Sequence, residues 1–184
     1  MLNHNPKALP HWPLKPQRSI AKAFSYQGVS TFSEAAEYIK NLPYKRTPWR
    51  QVLEQQSGTC SSKHALLQAL ADEQLLDCQL MLGIYEMTDK NTQGVGKVLE
   101  KYQLESIAEA HCFLQIKDEF FDFTFKDSFS LEPITDFLEL HQIRVDDSGP
   151  RKIQIHKEYL KKRFPGQHTS LWSIREECIS ALFS

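Results

Sequence analysis

Apolar residues along this chain follow two periods, one near 3.6 and one near 2, and the switches between them divide it into helical and strand-like blocks. Phe32, Ala35, Ala36 and Ile39 recur at helical spacing behind Thr31-Phe-Ser-Glu34, a capping box, and the helix they predict stops before Pro43. Pro48 starts a second, short helix carrying Trp49, Val52 and Leu53, which Gly58 ends. A third helix opens at Cys60 with Thr59 as its N-cap, and Ala65, Leu66, Leu67, Ala69 and Leu70 carry it to about Leu76.

From Cys78 the period shortens. Leu80, Met81, Leu82, Ile84 and Tyr85 make an apolar run of strand length that ends near Met87. Asp89 to Gly96 is a polar turn region, and Val98, Leu99 and Tyr102 predict a short helical turn after it. Ala110 to Lys117 and Phe120 to Phe125 read as two strands of a hairpin joined by Lys-Asp-Glu. Pro133 to Ile143 reads as a helix with Ile134, Phe137, Leu138 and His141 on one face, and Ile153 with Ile155 as a last short strand. Two helices close the chain, about 156 to 163 and about 170 to 183, the second with Leu171, Ile174, Cys178, Ile179 and Leu182 inward. Residues 1–18 hold Pro6, Pro10, Pro13 and Pro16, which excludes helix or central strand and predicts an extended arm, pinned by Trp12 and Leu14. The expectation is an arm over 1–18 and one α+β domain over 19–184, with helices, then an antiparallel sheet, then helices.

Composition narrows the function classes. The 22 basic and 23 acidic residues nearly cancel, which gives no pull toward nucleic acid or an anionic membrane. A hydrophobic share of 41% argues for a folded globule, and no stretch approaches the ~20 apolar residues that span a bilayer. The start, Met-Leu-Asn-His-Asn-Pro, lacks the charged-then-apolar layout of a secretory signal. Cys60, Cys78, Cys112 and Cys178 show no metal-knuckle or redox spacing, so free thiols in a reducing cytoplasm are expected, with no metal and no cofactor.

Cys60 stands apart from the other three cysteines. In Gln56-Ser-Gly-Thr-Cys-Ser-Ser-Lys-His64 its neighbours are small and polar, and it occupies the first turn of a helix. Unpaired backbone N–H groups and the positive end of the helix dipole favour thiolate there, and Lys63 and His64 add positive charge. His111 alternates with Phe113 and Gln115 on the less apolar face of its strand, where a general base belongs, and Asp122 lies between Phe121 and Phe123. A two-residue loop at Asp118 and Glu119 puts His111 and Asp122 on one face of the hairpin. The same register sets Asp122 opposite Gln115, so contact with His111 requires a wider loop, a bulge or strong twist. A zinc site from Cys60, His64, His111 and Cys112 is the competing chemical reading. Cys112 points away from His111 on a strand, which leaves at most three ligands. The stretch Arg151, Lys152, Lys157, Lys161, Lys162, Arg163 reads as a solvated basic face.

These residues resemble the transglutaminase-like branch of the papain-like cysteine enzymes over about residues 56 to 125. The likeness rests on Gly58-Thr-Cys60 at the head of a helix, on the strand beginning Ala110-His111, and on Phe121-Asp122-Phe-Thr124. The resemblance implies a papain-like core with Cys60 as nucleophile, His111 as general base and acid, Asp122 as the group orienting the imidazole, and Thr124 as support. It implies acyl transfer from a peptide or small amide through a Cys60 thioester, resolved by water or an amine. The Cys60 backbone N–H is one expected oxyanion donor, with Gln55 or Gln56 a candidate second. Acidic, Asn-rich loops of the kind that bind calcium in animal transglutaminases are missing. Arylamine N-acetyltransferases share the order Cys, His, Asp, and a binding module that keeps the fold without catalysis is the reading from a different class.

Overall fold

The computed structural model describes residues 1–126 and 132–182. The two apolar runs with strand spacing become the centre of a sheet. β2 (Gln79–Met87) pairs antiparallel with β3 (Ile107–Ile116) along its whole length, from Gln79 opposite Gln115 to Met87 opposite Ile107. β3 turns into β4 (Glu119–Phe121), and β5 (Glu139–Gln142) lies antiparallel on the free side of β2. β1 (Leu2–Asn3) pairs with β4 in parallel, so the sheet, in the order β1-β4-β3-β2-β5, is mixed where an antiparallel one was expected. The fold class is α+β, as the two periods require.

Helices precede, interrupt and follow the sheet. α1 (Ser19–Ser25), α2 (Phe32–Asn41), the single-turn α3 (Val52–Gln55) and α4 (Cys60–Gln74) come first. α5 (Gly96–Lys101) bridges β2 and β3, and α6 (Pro150–Arg163) and α7 (His168–Ala181) follow β5. The predicted capping box of α2 is present in both directions between Thr31 and Glu34. Sequence periodicity assigns no element to α1, whose cap comes from afar: the Glu73 carboxylate on α4 accepts the Ile20 and Ala21 N–H groups, each at 2.8 Å.

The two faces of the sheet bury different things. Leu80, Leu82, Ile84, Ala110, Cys112 and Leu114 pack under α2 and α4, with Phe32, Ile39, Leu67 and Leu70 facing them, and form the main core. The opposite face carries Met81, Gly83 and Tyr85 beside Phe113, His111 and Glu109, in that pairing order. Its ends are apolar, covered by Cys178 and Ile179 of α7 at one end and by Phe137 at the other. The polar middle row holds the candidate site.

Three predicted elements take another form. Residues 133–143 run extended and end in β5, because burial selects only part of the supposed helical stripe: Ile134 and Phe137 pack on the sheet while Leu138 and Leu140 are each 46% exposed. The outer edge of β2 needs hydrogen-bond partners, and this segment supplies them, with Leu138 N–H donating to Ile84 O and Ile143 N–H to Leu80 O. Ile153 and Ile155 belong to α6, which starts at Pro150, a residue preorganised for the first helical position; Ile155 is buried and Ile153 exposed. α3 stops at Gln56 in a left-handed conformation, φ 49°, and not at Gly58. The expected last helix ends at Ala181, and its predicted final residue, 183, lies outside the described residues.

Residues 1–18 are folded onto the body, with Leu2 and Leu9 buried and Trp12 and Leu14 against the main core. Gly83 marks a tight contact. A Cβ there would lie 2.2 Å from Phe137 Cδ1, so the ring occupies the space a side chain would need. Gly83→Ala is expected to cost about 1–3 kcal/mol through overpacking. Urea midpoints check this: the single variant falls at unchanged m-value, and Phe137→Ala combined with Gly83→Ala loses less than the sum of the two singles.

Candidate active site

The thiol is placed by the cap it was predicted to have. Thr59 accepts from Ser62 N–H while Ser62 Oγ accepts from Thr59 N–H at 2.9 Å, which fixes Cys60 as the first residue of α4. Gly58 lets the incoming chain pass close to that turn, since a Cβ there would stand 2.9 Å from Lys63 Cγ. Cys60 is buried, 3% exposed, and shares a cleft with His111, Asp122, Glu109, Tyr44 and Tyr85.

Burial alone would push the Cys60 thiol up. Lys152, whose Nζ donates to Sγ at 3.4 Å, outweighs it together with His111, and the thiol comes down to about 5. Lys63 and His64, expected to supply this charge, do something else. Lys63 is fully buried and donates from Nζ to Leu42 O at 2.6 Å and to Thr124 O at 2.7 Å. His64 uses Nδ1 on Cys60 O and Nε2 as acceptor for Phe123 N–H, both at 2.8 Å. Burial lowers its pKa to about 4, so it is neutral and acts as a clip between the α4 N-terminus and the segment holding Asp122. With both ring nitrogens committed to the backbone, His64 cannot join the zinc set weighed above. Among the described residues no group of three or more His, Cys, Asp or Glu is arranged to hold a metal ion.

His111 and Asp122 meet: His111 Nε2 lies 2.9 Å from Asp122 Oδ2. The hairpin loop is Lys117 and Asp118, with Ile116 opposite Glu119, where the sequence suggested Asp118 and Glu119. That one-residue change on each strand moves Asp122 toward His111 and preserves the shared face. The ladder ends at Phe121, and Asp122 turns onto β1 instead, donating its N–H to Asn3 O at 2.9 Å. The other carboxylate oxygen, Oδ1, accepts from Thr124 N–H at 2.9 Å and from Thr124 Oγ1, the support that the Asp-x-Thr pattern implied. Burial opposes ionisation of Asp122, but the His111 ring holds its carboxyl far below the usual carboxylate range. The reciprocal effect on His111 is large. Burial works against its charge, and Asp122 and Cys60 raise it to about 10. Nε2 is committed to Asp122, which leaves Nδ1 for Cys60. At neutral pH the site is a thiolate–imidazolium pair with a carboxylate fixing the ring.

A second set of charges backs the first. Glu109, on the same face of β3 as His111, is buried and chelated by both arms of the Arg175 guanidinium from α7. Burial opposes its charge, but Arg175 brings its pKa down to about 2. Lys152 Nζ stands 3.9 Å from Glu109 Oε1, between this ion pair and the sulfur. Gln55 and Gln56 are not brought to the site: both are exposed, Gln55 bonding Gln51 and Gln56 bonding Tyr38 and Leu53 O. Sequence reasoning placed Lys152 on a solvated basic face, whereas it is buried against Cys60, and it missed Glu109 and Arg175. Helical spacing of Lys152 with Ile155, His156 and Leu160 marks the buried face of α6, and starting β3 at Ile107 aligns Glu109 with His111.

No protein-family model matches the chain, and searches of curated proteins and of solved structures return no match for it.

Two outcomes follow from these charges. Cys60 has a depressed pKa, so its reactivity is present above about 5 and lost as pH falls through that value. Burial moves Cys112 to about 12 and Cys178 to about 11, and raises Cys78 as well. Brief iodoacetamide treatment at about pH 6 should therefore label Cys60 alone in a peptide map. His64 has a folded pKa of about 4 against an ordinary 6.5, so the stability it contributes is complete above 6.5 and is lost as pH falls toward 4. Thermal melts across that range should slope less in His64→Gln than in the wild type.

Proposed function

We propose that this protein is a transglutaminase-like cysteine acyl-transfer enzyme that forms a thioester on Cys60 from a peptide or small amide. The observation carrying this reading is the one cleft shared by Cys60 and His111, with His111 itself held by Asp122 at 2.9 Å. The order of a cysteine on a helix N-terminus, then a histidine on a strand and an aspartate just past the end of the next, antiparallel strand, supports the papain-like core as part of the same proposal. A cytoplasmic setting suits four free thiols, and among the described residues no helix is long and apolar enough to cross a membrane.

In the proposed reaction the Sγ lone pair attacks the amide carbon, and the carbonyl π pair moves to oxygen. Collapse breaks the C–N bond, and the leaving nitrogen takes the proton that the His111 imidazolium carries. Neutral His111 then removes a proton from water or from an acceptor amine, whose lone pair attacks the thioester carbon. The S–C bond breaks, and the thiolate–imidazolium pair is restored. Asp122 stays ionised throughout and fixes the ring.

Intact-protein mass spectra after incubation with a panel of activated amides and acyl-CoA test the proposal. An acyl adduct should form on the wild type and map to Cys60, and should be absent in Cys60→Ala and His111→Ala. Asp122→Asn should keep the fold and lower adduct formation by about 10²–10⁴-fold, through the wrong imidazole tautomer. If Asp122→Asn instead lowers the melting temperature and leaves Cys60 alkylation unchanged, Asp122 is a hairpin anchor and the site reduces to a Cys60–His111 dyad. Failure of every acyl donor to modify Cys60 would overturn the proposal itself.

A further inference from the structure

We propose that Lys152 is the second oxyanion donor of this site, its ammonium taking up the negative charge that leaves Cys60 Sγ when the S–C bond forms. This rests on the acyl-transfer reading of Cys60. An oxyanion hole needs donors beside the sulfur that are in place before reaction. One is the Cys60 backbone N–H, which, as the first in α4, has no intrahelical acceptor. The glutamines that sequence offered as a second donor are turned to solvent. Lys152 Nζ stands instead 3.4 Å from Sγ and 3.1 Å from Ser61 Oγ, beside the first turn of α4.

Three features make this ammonium suited to an oxyanion as well as to a thiolate. First, it is held from behind: Glu109 Oε1 lies 3.9 Å away and is itself chelated by Arg175, so the cation keeps a counter-charge throughout. Second, the residue is 9% exposed, which keeps competing water away and strengthens any charge–charge interaction. Third, the charge moves only a short way. As sulfur attacks, its lone pair becomes the S–C bond and the carbonyl π pair goes to an oxygen one carbon distant from sulfur. A point charge on a flexible four-carbon stem can follow that transfer without reorganising the site. Orientation follows too. Lys152 and Ser61 line a second cleft with Tyr44, Thr59 and Arg175, while Cys60 and His111 line the first. With Lys152 as donor, the carbonyl oxygen is turned toward the second cleft and the leaving nitrogen toward His111.

Two reagents separate this role from simple activation of the thiol. Iodoacetamide alkylates by displacement and forms no oxyanion; p-nitrophenyl acetate acylates through a tetrahedral oxyanion. Rates with each are measured against pH on wild type, Lys152→Met and Lys152→Arg, and compared on the plateau where the thiol is fully ionised. Plateau alkylation by Lys152→Met should stay within about 3-fold of wild type, while plateau acylation falls by about 10²-fold, with partial recovery in Lys152→Arg. Glu109 keeps Arg175 in these variants; if Lys152→Met nevertheless fails to fold, Lys152→Gln gives the same comparison. Equal losses with both reagents, or none with either, would leave Lys152 only a thiolate partner and overturn the inference. Failure of the acyl-transfer reading looks different: wild type alkylates normally but releases p-nitrophenolate no faster than Cys60→Ala, and the Lys152 role falls with it.

Discussion

Six buried charges of alternating sign run through the middle of this protein: Arg175, Glu109, Lys152, Cys60, His111 and Asp122. Three cations and three anions cancel along the row, each buried beside a neighbour of opposite charge. Removing one ion of a buried pair leaves the other uncompensated at a cost of about 3–5 kcal/mol. The row therefore dictates how elements dock. Arg175 comes from α7, Lys152 from α6, Glu109 and His111 from β3 and Cys60 from α4, and each must arrive for the next to be satisfied.

Ties to the backbone hold the row in register. Lys63 grips Thr124 O and His64 grips Phe123 N–H, so two successive residues of α4 bind the chain on the far side of Asp122. From the other side, Asn3 O takes the Asp122 N–H and His4 Nδ1 lies 3.0 Å from Asp122 O. The N-terminal segment is in turn fastened by Lys40, which donates to His4 O at 2.8 Å. Asp122 is thus fixed by main-chain contacts on both flanks, while its carboxylate accepts from Thr124 through Oδ1 and orients the His111 ring through Oδ2.

Much of this was legible in the sequence wherever one local rule decided the outcome. Thr59 before Cys60 and Thr31 before Phe32 named their helix starts through side-chain caps, and strand parity alone put His111 and Asp122 on one face. What was lost depended on partners remote in sequence. The hairpin register turned on Lys117, which adopts φ 55° in a turn where no glycine or asparagine announces a left-handed residue. Residues 133–143 carry a plausible helical stripe, and only the unpaired edge of β2 and the gap over Gly83 make an extended chain better. Lys152 sits among exposed basic residues, so composition described its neighbours correctly and concealed the one lysine whose helical position turns it inward.

The spread of the row along the chain has a consequence for when the thiol becomes reactive. Its positions run from 60 to 175, and the groups that acidify Cys60 all follow it, His111 on β3 and Lys152 on α6, with the Arg175 counter-charge later still. During synthesis the cysteine emerges long before them. Until the late helices dock it remains an ordinary thiol, mostly protonated at neutral pH. Nucleophilicity is therefore withheld from the nascent chain and from partly unfolded forms, and appears only with completed tertiary structure. A chain that exposes sticky surfaces while folding does not at the same time expose a thiolate.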